Sequence, residues 1–195
     1  MKTRLAPWLI AGLCMSLLTA CSKTVTWEEE VPLNTGETIW VTRIVTYSLQ
    51  GGAGNPLDMA YRPEWTETLE FNWQGKNYSY TGDADVMLLA ISPLSNSPVL
   101  VANAALKNWD TKNSYRCTTP YYVQLSPTSD REHWIWPSSI ESWLYDRPAN
   151  LMLYRPKVNL VAPKYSKTDR ERFDSGNSSF LRIIKRDFAF TSCKN

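Results

Sequence analysis

The 195-residue chain has one histidine, His133, and four cysteines, at positions 14, 21, 117 and 193. A zinc site draws on clustered Cys and His ligands, so this supply argues against one. A Gly-x-Ser-x-Gly elbow is absent, and with it the usual sequence support for a serine hydrolase. A Ser-His-Asp triad would have to use His133. That residue lies in Glu132-His133-Trp134-Ile135-Trp136, between aromatics, where a lone histidine reads as structural. The densest group of the eight glycines, Gly51-Gly52-Ala53-Gly54-Asn55-Pro56, is too irregular for a phosphate-binding fingerprint and reads as a loop. Lys and Arg total 21 against 19 Asp and Glu. A balance so close to neutral gives no electrostatic case for nucleic acid.

Twelve prolines punctuate the sequence and argue against long helices. Strand chemistry dominates instead. Residues 39–47 are rich in β-branched and aromatic types, with Ile39, Val41 and Val45 on one parity. Residues 68–73 and 77–81 flank Gln74-Gly75-Lys76, a hairpin pattern, and Leu69, Phe71 and Trp73 alternate with Glu70 and Asn72. Residues 86–91 and 99–102 are continuous apolar runs, as in strands buried on both faces. Further strands are predicted at 121–125, 151–154, 180–184 and 187–190. Of the adjacent pair Tyr121 and Tyr122, one must face outward or an interface. Helix signals are fewer. Ser138-Ser139-Ile140-Glu141 and Thr168-Asp169-Arg170-Glu171 are capping boxes; the second helix would end near Gly176, and residues 104–109 suit a third short helix. The sum is a β-rich α+β fold, a single domain over residues 31–195, mostly antiparallel sheet or sandwich with one or two short helices.

Candidate site residues are sparse. Asp83 and Asp85 flank Ala84 and on a strand would point the same way, about 7 Å apart. Two carboxylates with carbonyl help could bind Ca²⁺, but they lack the Asp/Asn/Gly periodicity of an EF-hand loop, and a solvated turn before the strand at Val86 is the favoured reading. Trp134, Trp136, Trp143, Tyr145 and Tyr154 cluster in sequence with Arg147 and Arg155 nearby. Trp134, Trp136 and Tyr154 are candidates for a binding platform for glycan or protein, or for core bulk. No catalytic residue, cofactor or metal site is assigned.

The first 21 residues carry a separate signal. Lys2 and Arg4 precede an apolar run from Leu9 to Leu18, broken only by Ser16, and Leu18-Thr19-Ala20-Cys21 follows. A basic start and a 7–15-residue apolar run before small residues mark export, and the run is too short to span a bilayer. The whole resembles the signal peptide and lipobox of bacterial lipoproteins, and the resemblance ends at Cys21. It implies that residues 1–20 are removed and that Cys21 becomes an N-terminus carrying a thioether-linked diacylglycerol and an amide-linked acyl chain. Ser22, rather than Asp, in the second position of the processed chain resembles cargo sorted to the outer membrane. Residues 21–30 then form the lipidated terminus and a short tether, with Trp27 opening the first packed strand. The partner implied is the membrane itself, through the lipid on Cys21, and the address is the cell envelope, on its periplasmic side.

Export has further consequences. Removal of Lys2 and Arg4 leaves 19 basic and 19 acidic side chains over 175 residues. Cys117 and Cys193 remain in a compartment where disulfides persist. Their pairing would close a loop of about 75 residues, for which the chain-entropy estimate is roughly 4 kcal/mol. Residues 21–110 hold 5 Lys/Arg and 11 Asp/Glu, whereas residues 111–195 hold 14 and 8. Either the two halves of one domain attract each other, or a basic patch around Arg182, Lys185 and Arg186 meets an anionic partner. A strong anchor signal without a catalytic signature favours a non-catalytic envelope module that binds protein or glycan. The alternative is a periplasmic hydrolase acting on cell-wall or polysaccharide material through Asp83, Asp85, Glu132 and His133.

Overall fold

Period-two alternation builds the first sheet. A computed structural model describes residues 22–52, 55–103, 122–135 and 140–175. In it β1 (Ser22–Pro32), β2 (Thr38–Gly52), β3 (Asn55–Trp73) and β4 (Lys76–Gly82) form an antiparallel meander. The short β9 (Lys164–Tyr165) adds in parallel beside β1, giving the order β4-β3-β2-β1-β9. Trp27, Val31, Val41, Val45, Tyr47, Leu69, Phe71, Trp73, Tyr78 and Tyr80 are buried on one face. The other face is polar: Thr24 and Thr46 lie in hydroxyl contact at 3.3 Å, as do Thr68 and Thr81 at 2.8 Å. The β3–β4 turn is two residues, Gln74 (φ 51°) and Gly75 (φ 73°). Two successive positive φ values fit the right-handed strand twist and favour glycine. Lys76, read from the sequence as turn, is the first residue of β4.

The second sheet holds β5 (Asp85–Ile91), β6 (Pro98–Asn103), β7 (Tyr122–Pro127) and β8 (Trp134–Ile135), in that order. Its strands are apolar on both parities because both faces are covered. Val86, Leu89, Ile91, Leu100, Ala102, Val123 and Leu125 pack against the first sheet. Met87, Leu88, Ala90, Val99, Val101 and Tyr122 pack against Ile140 and Leu144 on the far side. The result is a two-layer β-rich sandwich, as the composition and periodicity predict, with one short helix, α1 (Lys167–Ser175), among the described residues.

Several sequence expectations are corrected. Residues 22–30, read as a lipidated terminus and tether with a strand opening only at Trp27, are strand along their whole length, paired from Ser22↔Ser48 to Glu30↔Trp40; the fold therefore begins before residue 31. Residues 151–154 are not a strand. They cross beneath the first sheet, where the Met152 carbonyl accepts from Arg43 and its amide donates to Glu29. The cap of α1 is Ser166, two residues before Thr168. Ser166 Oγ donates to Asp169 Oδ2 at 2.6 Å and accepts from the Asp169 amide at 3.2 Å, with Asp169 in the role of the box's acid. Ser138 and Ser139 of the other predicted box lie outside the described residues; among the described residues that follow, a 3₁₀ turn forms at Ser142–Leu144. The expected helix at 104–109, the strands at 180–184 and 187–190, Tyr121, Gly176 and the basic group Arg182, Lys185 and Arg186 lie outside the described residues.

β5 is an edge, and side chains close it. Asn34 pairs with both backbone groups of Ile91, and Asn150 with both of Leu89. Edge groups left unpaired and buried would be costly.

Candidate functional site

The polar face of the first sheet is ordered in rows by strand register. One row crosses all five strands: Lys164, Glu28, Thr42, Glu70 and Ser79 are successive partners. The adjacent row, toward the β3–β4 turn, holds the pairs Glu30↔Trp40 and Asn72↔Asn77. Trp40 is thus a large aromatic on the solvent parity of β2, and it is 45% exposed. Lys164 Nζ lies 4.9 Å from the centre of its ring and 2.6 Å from Glu28 Oε2. This cation–π contact comes from the β1–β9 side of Trp40.

On the β3–β4 side of Trp40 a groove of about 770 Å³ opens. Thr42, Glu70, Asn72, Asn77 and Ser79 lie along it, and Lys76, Asp130, Arg131 and Glu132 form its rim. The amides are held in place: Asn72 Nδ2 donates to Asn77 Oδ1 at 2.8 Å, and Asn72 Oδ1 accepts from the Gly75 amide at 3.1 Å. Apart from Lys76 at the start of β4, the rim is the β7–β8 loop, and Asp130 organises it. Asp130 Oδ1 accepts from the Thr128 hydroxyl at 2.7 Å and from the Glu132 and His133 amides, each at 3.0 Å. Its second oxygen meets His133 Nδ1 at 2.7 Å. Backbone donation from Ser79 to the Arg131 carbonyl, at 3.1 Å, ties the loop to the edge of β4. Hydrogen bonds from the His133 amide, Thr128 and the His133 ring hold the Asp130 carboxyl well below the usual carboxylate range. The same contact with Asp130 raises the His133 imidazole.

A second concentration of charge is internal. Glu29, Arg43 and Glu67 project from neighbouring strands on the buried face and are almost fully buried. Arg43 Nε lies 3.2 Å from Glu29, and its terminal nitrogen 3.6 Å from Glu67. Arg155 reaches Glu67 at 3.0 Å, and Arg43 also donates to the carbonyls of Met152 and Val86. Burial acts to lower the Arg43 guanidinium, but the charges of Glu67 and Glu29 outweigh it and hold the group charged. Burial pushes the Tyr47 hydroxyl up to about 12, and that hydroxyl donates to the Pro156 carbonyl at 2.6 Å. This network joins the acidic first half of the chain to its basic second half, as does Lys164–Glu28. Its three central groups, Glu29, Arg43 and Glu67, are almost fully buried, which suits cohesion rather than ligand binding.

The structure separates most of the residues singled out from the sequence. Trp134 packs in the inter-sheet core. Its ring meets Tyr80 edge-on at 6.0 Å and Phe71 at 6.4 Å, and its Nε1 donates to the Ser79 carbonyl at 2.7 Å. The core-bulk alternative therefore describes Trp134 better than an open platform does. Tyr154 is half-buried and follows Met152, which belongs to a different cluster with Trp27 and Tyr47. Trp136, Cys21, Cys117 and Cys193 lie outside the described residues. Asp83 and Asp85 bracket the buried Ala84 in the link between the sheets, whereas Glu132 and His133 belong to the groove's rim loop. Among the described residues no group of three or more His, Cys, Asp or Glu could hold a metal ion, and no helix is long and apolar enough to cross a membrane.

Trp40 was missed, although the sequence carried its signal. In Thr38-Ile39-Trp40-Val41-Thr42 the tryptophan shares the parity of the threonines. A bulky aromatic on the polar parity of a half-buried strand is an exposed one. The loop rim and the partners of Trp40 come from distant segments and had no local signal. Comparisons with protein-family models, with curated proteins and with solved structures find no match for this chain.

Proposed function

We propose that this protein is a lipid-anchored module of the bacterial cell envelope that binds a glycan, without catalysis, in the groove beside Trp40. The observation that carries the reading is Trp40 itself. It is an exposed indole, braced on one side by Lys164, bordering a groove whose other functional groups are hydroxyls, amides and a few charges. Sugars present an apolar C–H face and a rim of hydroxyls. A flat aromatic wall beside Asn, Thr, Ser and Glu side chains matches both parts. The preformed rim supports the same reading, because a loop already ordered by Asp130 loses little entropy on binding.

The anchor half of the proposal rests on the Leu18-Thr19-Ala20-Cys21 motif. The outer membrane is the favoured site, on the ground of Ser22. Two or three acyl chains bind a membrane far more durably than one, at about 0.8 kcal/mol per buried methylene. The Cys21→Ala chain should remain unprocessed and take up no labelled fatty acid; unchanged mass and labelling would overturn the anchor.

Hydrolysis is the weaker alternative. A glycosidase needs one carboxyl raised to act as acid. Of the residues it would draw on, Asp83 and Asp85 lie in the link between the sheets, and only Glu132 and His133 belong to the groove's rim loop. Asp130 beside them is displaced in the opposite direction and spends its oxygens on its own loop. Retention on immobilised peptidoglycan distinguishes the readings. The protein should bind reversibly and release no soluble fragments, and steady release of fragments would favour the hydrolase.

A further inference from the structure

We infer that the β2–β3 hairpin is a membrane-contact element that rests in the headgroup layer of the bilayer holding Cys21. The inference rests on the proposed lipidation of Cys21, and it adds a surface that the motif alone does not indicate.

Register supplies the geometry. Ser22 pairs with Ser48, and Ser48 with Arg62. The lipid-bearing residue would be the immediate neighbour of Ser22, about 3.8 Å away between Cα atoms. No tether intervenes, since β1 begins at Ser22. Past that level β2 continues through Leu49 to Gly52, and β3 returns through Met59, Ala60 and Tyr61. Four further residues at about 3.3 Å each carry the hairpin roughly 13 Å beyond the anchor point. The headgroup region on each side of a bilayer is only about 5–8 Å thick. A sheet held this close by acyl chains, and inclined to the bilayer surface, therefore lays the hairpin in that layer.

The side chains fit the layer. Met59 is 51% exposed, one of few large apolar groups so exposed among the described residues. Leu49 and Tyr61 share its parity, and each is half-buried. Lys23 Nζ lies 4.6 Å from the Tyr61 ring. Tyrosine and long cationic side chains are interfacial residues. Met59, with the Leu49 and Tyr61 side chains on its parity, makes the contact apolar and aromatic, so it needs no anionic lipid. The opposite end of the sheet carries the groove: Trp40 lies eight residues along β2 from Ser48, about 26 Å away. The protein would thus hold its ligand site away from the bilayer.

The test uses the full lipidated protein in phosphatidylcholine vesicles, with a photo-crosslinking amino acid at Met59 in one variant and at Asn72 in another. Intact mass first reports whether Cys21 is acylated. Acylated protein should form lipid adducts at position 59 and none above background at position 72, equally at low and high salt. Acylated protein without adducts at 59, or with equal adducts at both positions, overturns the inference and leaves the anchor standing. Unacylated protein removes the anchor, and the inference with it. Position 59 is open to solvent, and a second variant at Ala60 guards against a local effect of the substitution.

Discussion

Asn150 is bonded to Leu89 as a neighbouring strand would be. Its Oδ1 accepts from the Leu89 amide at 2.8 Å, and its Nδ2 donates to the Leu89 carbonyl at 2.7 Å. The same nitrogen donates to the Pro32 carbonyl at 2.8 Å, which links the second sheet to the end of β1. A single amide thus finishes an edge and joins the two layers. Asn150→Ala would leave both Leu89 groups buried and unpaired. At about 1–3 kcal/mol for each such group, it should destabilise the protein by roughly 2–6 kcal/mol in denaturant unfolding. Asn150→Asp should be nearly as harmful, because a carboxylate cannot donate to Leu89 or Pro32. A loss below about 1 kcal/mol in both variants would contradict this role.

Arg43 should be the most sensitive charged residue. It lies between Glu29 and Glu67, all three almost fully buried. Removing one partner from a buried ion pair typically costs about 3–5 kcal/mol, because the other charge is left without compensation. Arg43→Ala should therefore unfold the protein or destabilise it by at least that amount. Lys164→Ala, which breaks the exposed pair with Glu28, should cost no more than about 1 kcal/mol. Comparable melting of the two variants would show that the interior network contributes little.

The rim loop should respond to pH in a defined window. The His133 imidazole is raised above its ordinary 6.5, so its stabilising contact is complete below that value and is lost as pH rises through the raised one. The Asp130 carboxyl is lowered below its ordinary 3.8, so its contribution is complete above 3.8 and is lost as pH falls through the lowered value. The pair is therefore fully in place between these two ordinary values. An NMR titration should place the His133 midpoint above 6.5, and Asp130→Asn should move it down. An unchanged midpoint in the variant would exclude the pairing.

Much of the sheet architecture was legible in the sequence, because period-two alternation and the Gln74-Gly75 turn are local signals. The apolar runs of β5 and β6 likewise pointed to burial on both faces. Residues 151–154 misled because Leu151 and Met152 are buried by crossing the sheet, and burial alone does not distinguish a strand from a covering segment. Residues 22–30 misled in the opposite way. Their solvent parity is Thr and Glu, so the polar half of a strand resembled a tether. The groove was the least legible part. It depends on Lys164 meeting Trp40 and on the residue-131 loop meeting β4, contacts that span far more chain than any local pattern.

The central claim is that Trp40 is the main contact of a glycan site. Its most direct test is a calorimetric titration of the protein with soluble peptidoglycan fragments and with envelope-derived oligosaccharides, comparing wild type with Trp40→Ala. Trp40 is exposed on a sheet face, so the variant should retain its unfolding midpoint. The account predicts saturable binding of at least one of these glycans by the wild type, weakened about tenfold or more, ~1.4 kcal/mol, in the folded variant. Equal affinities in the two proteins, or no binding by the wild type, would contradict it.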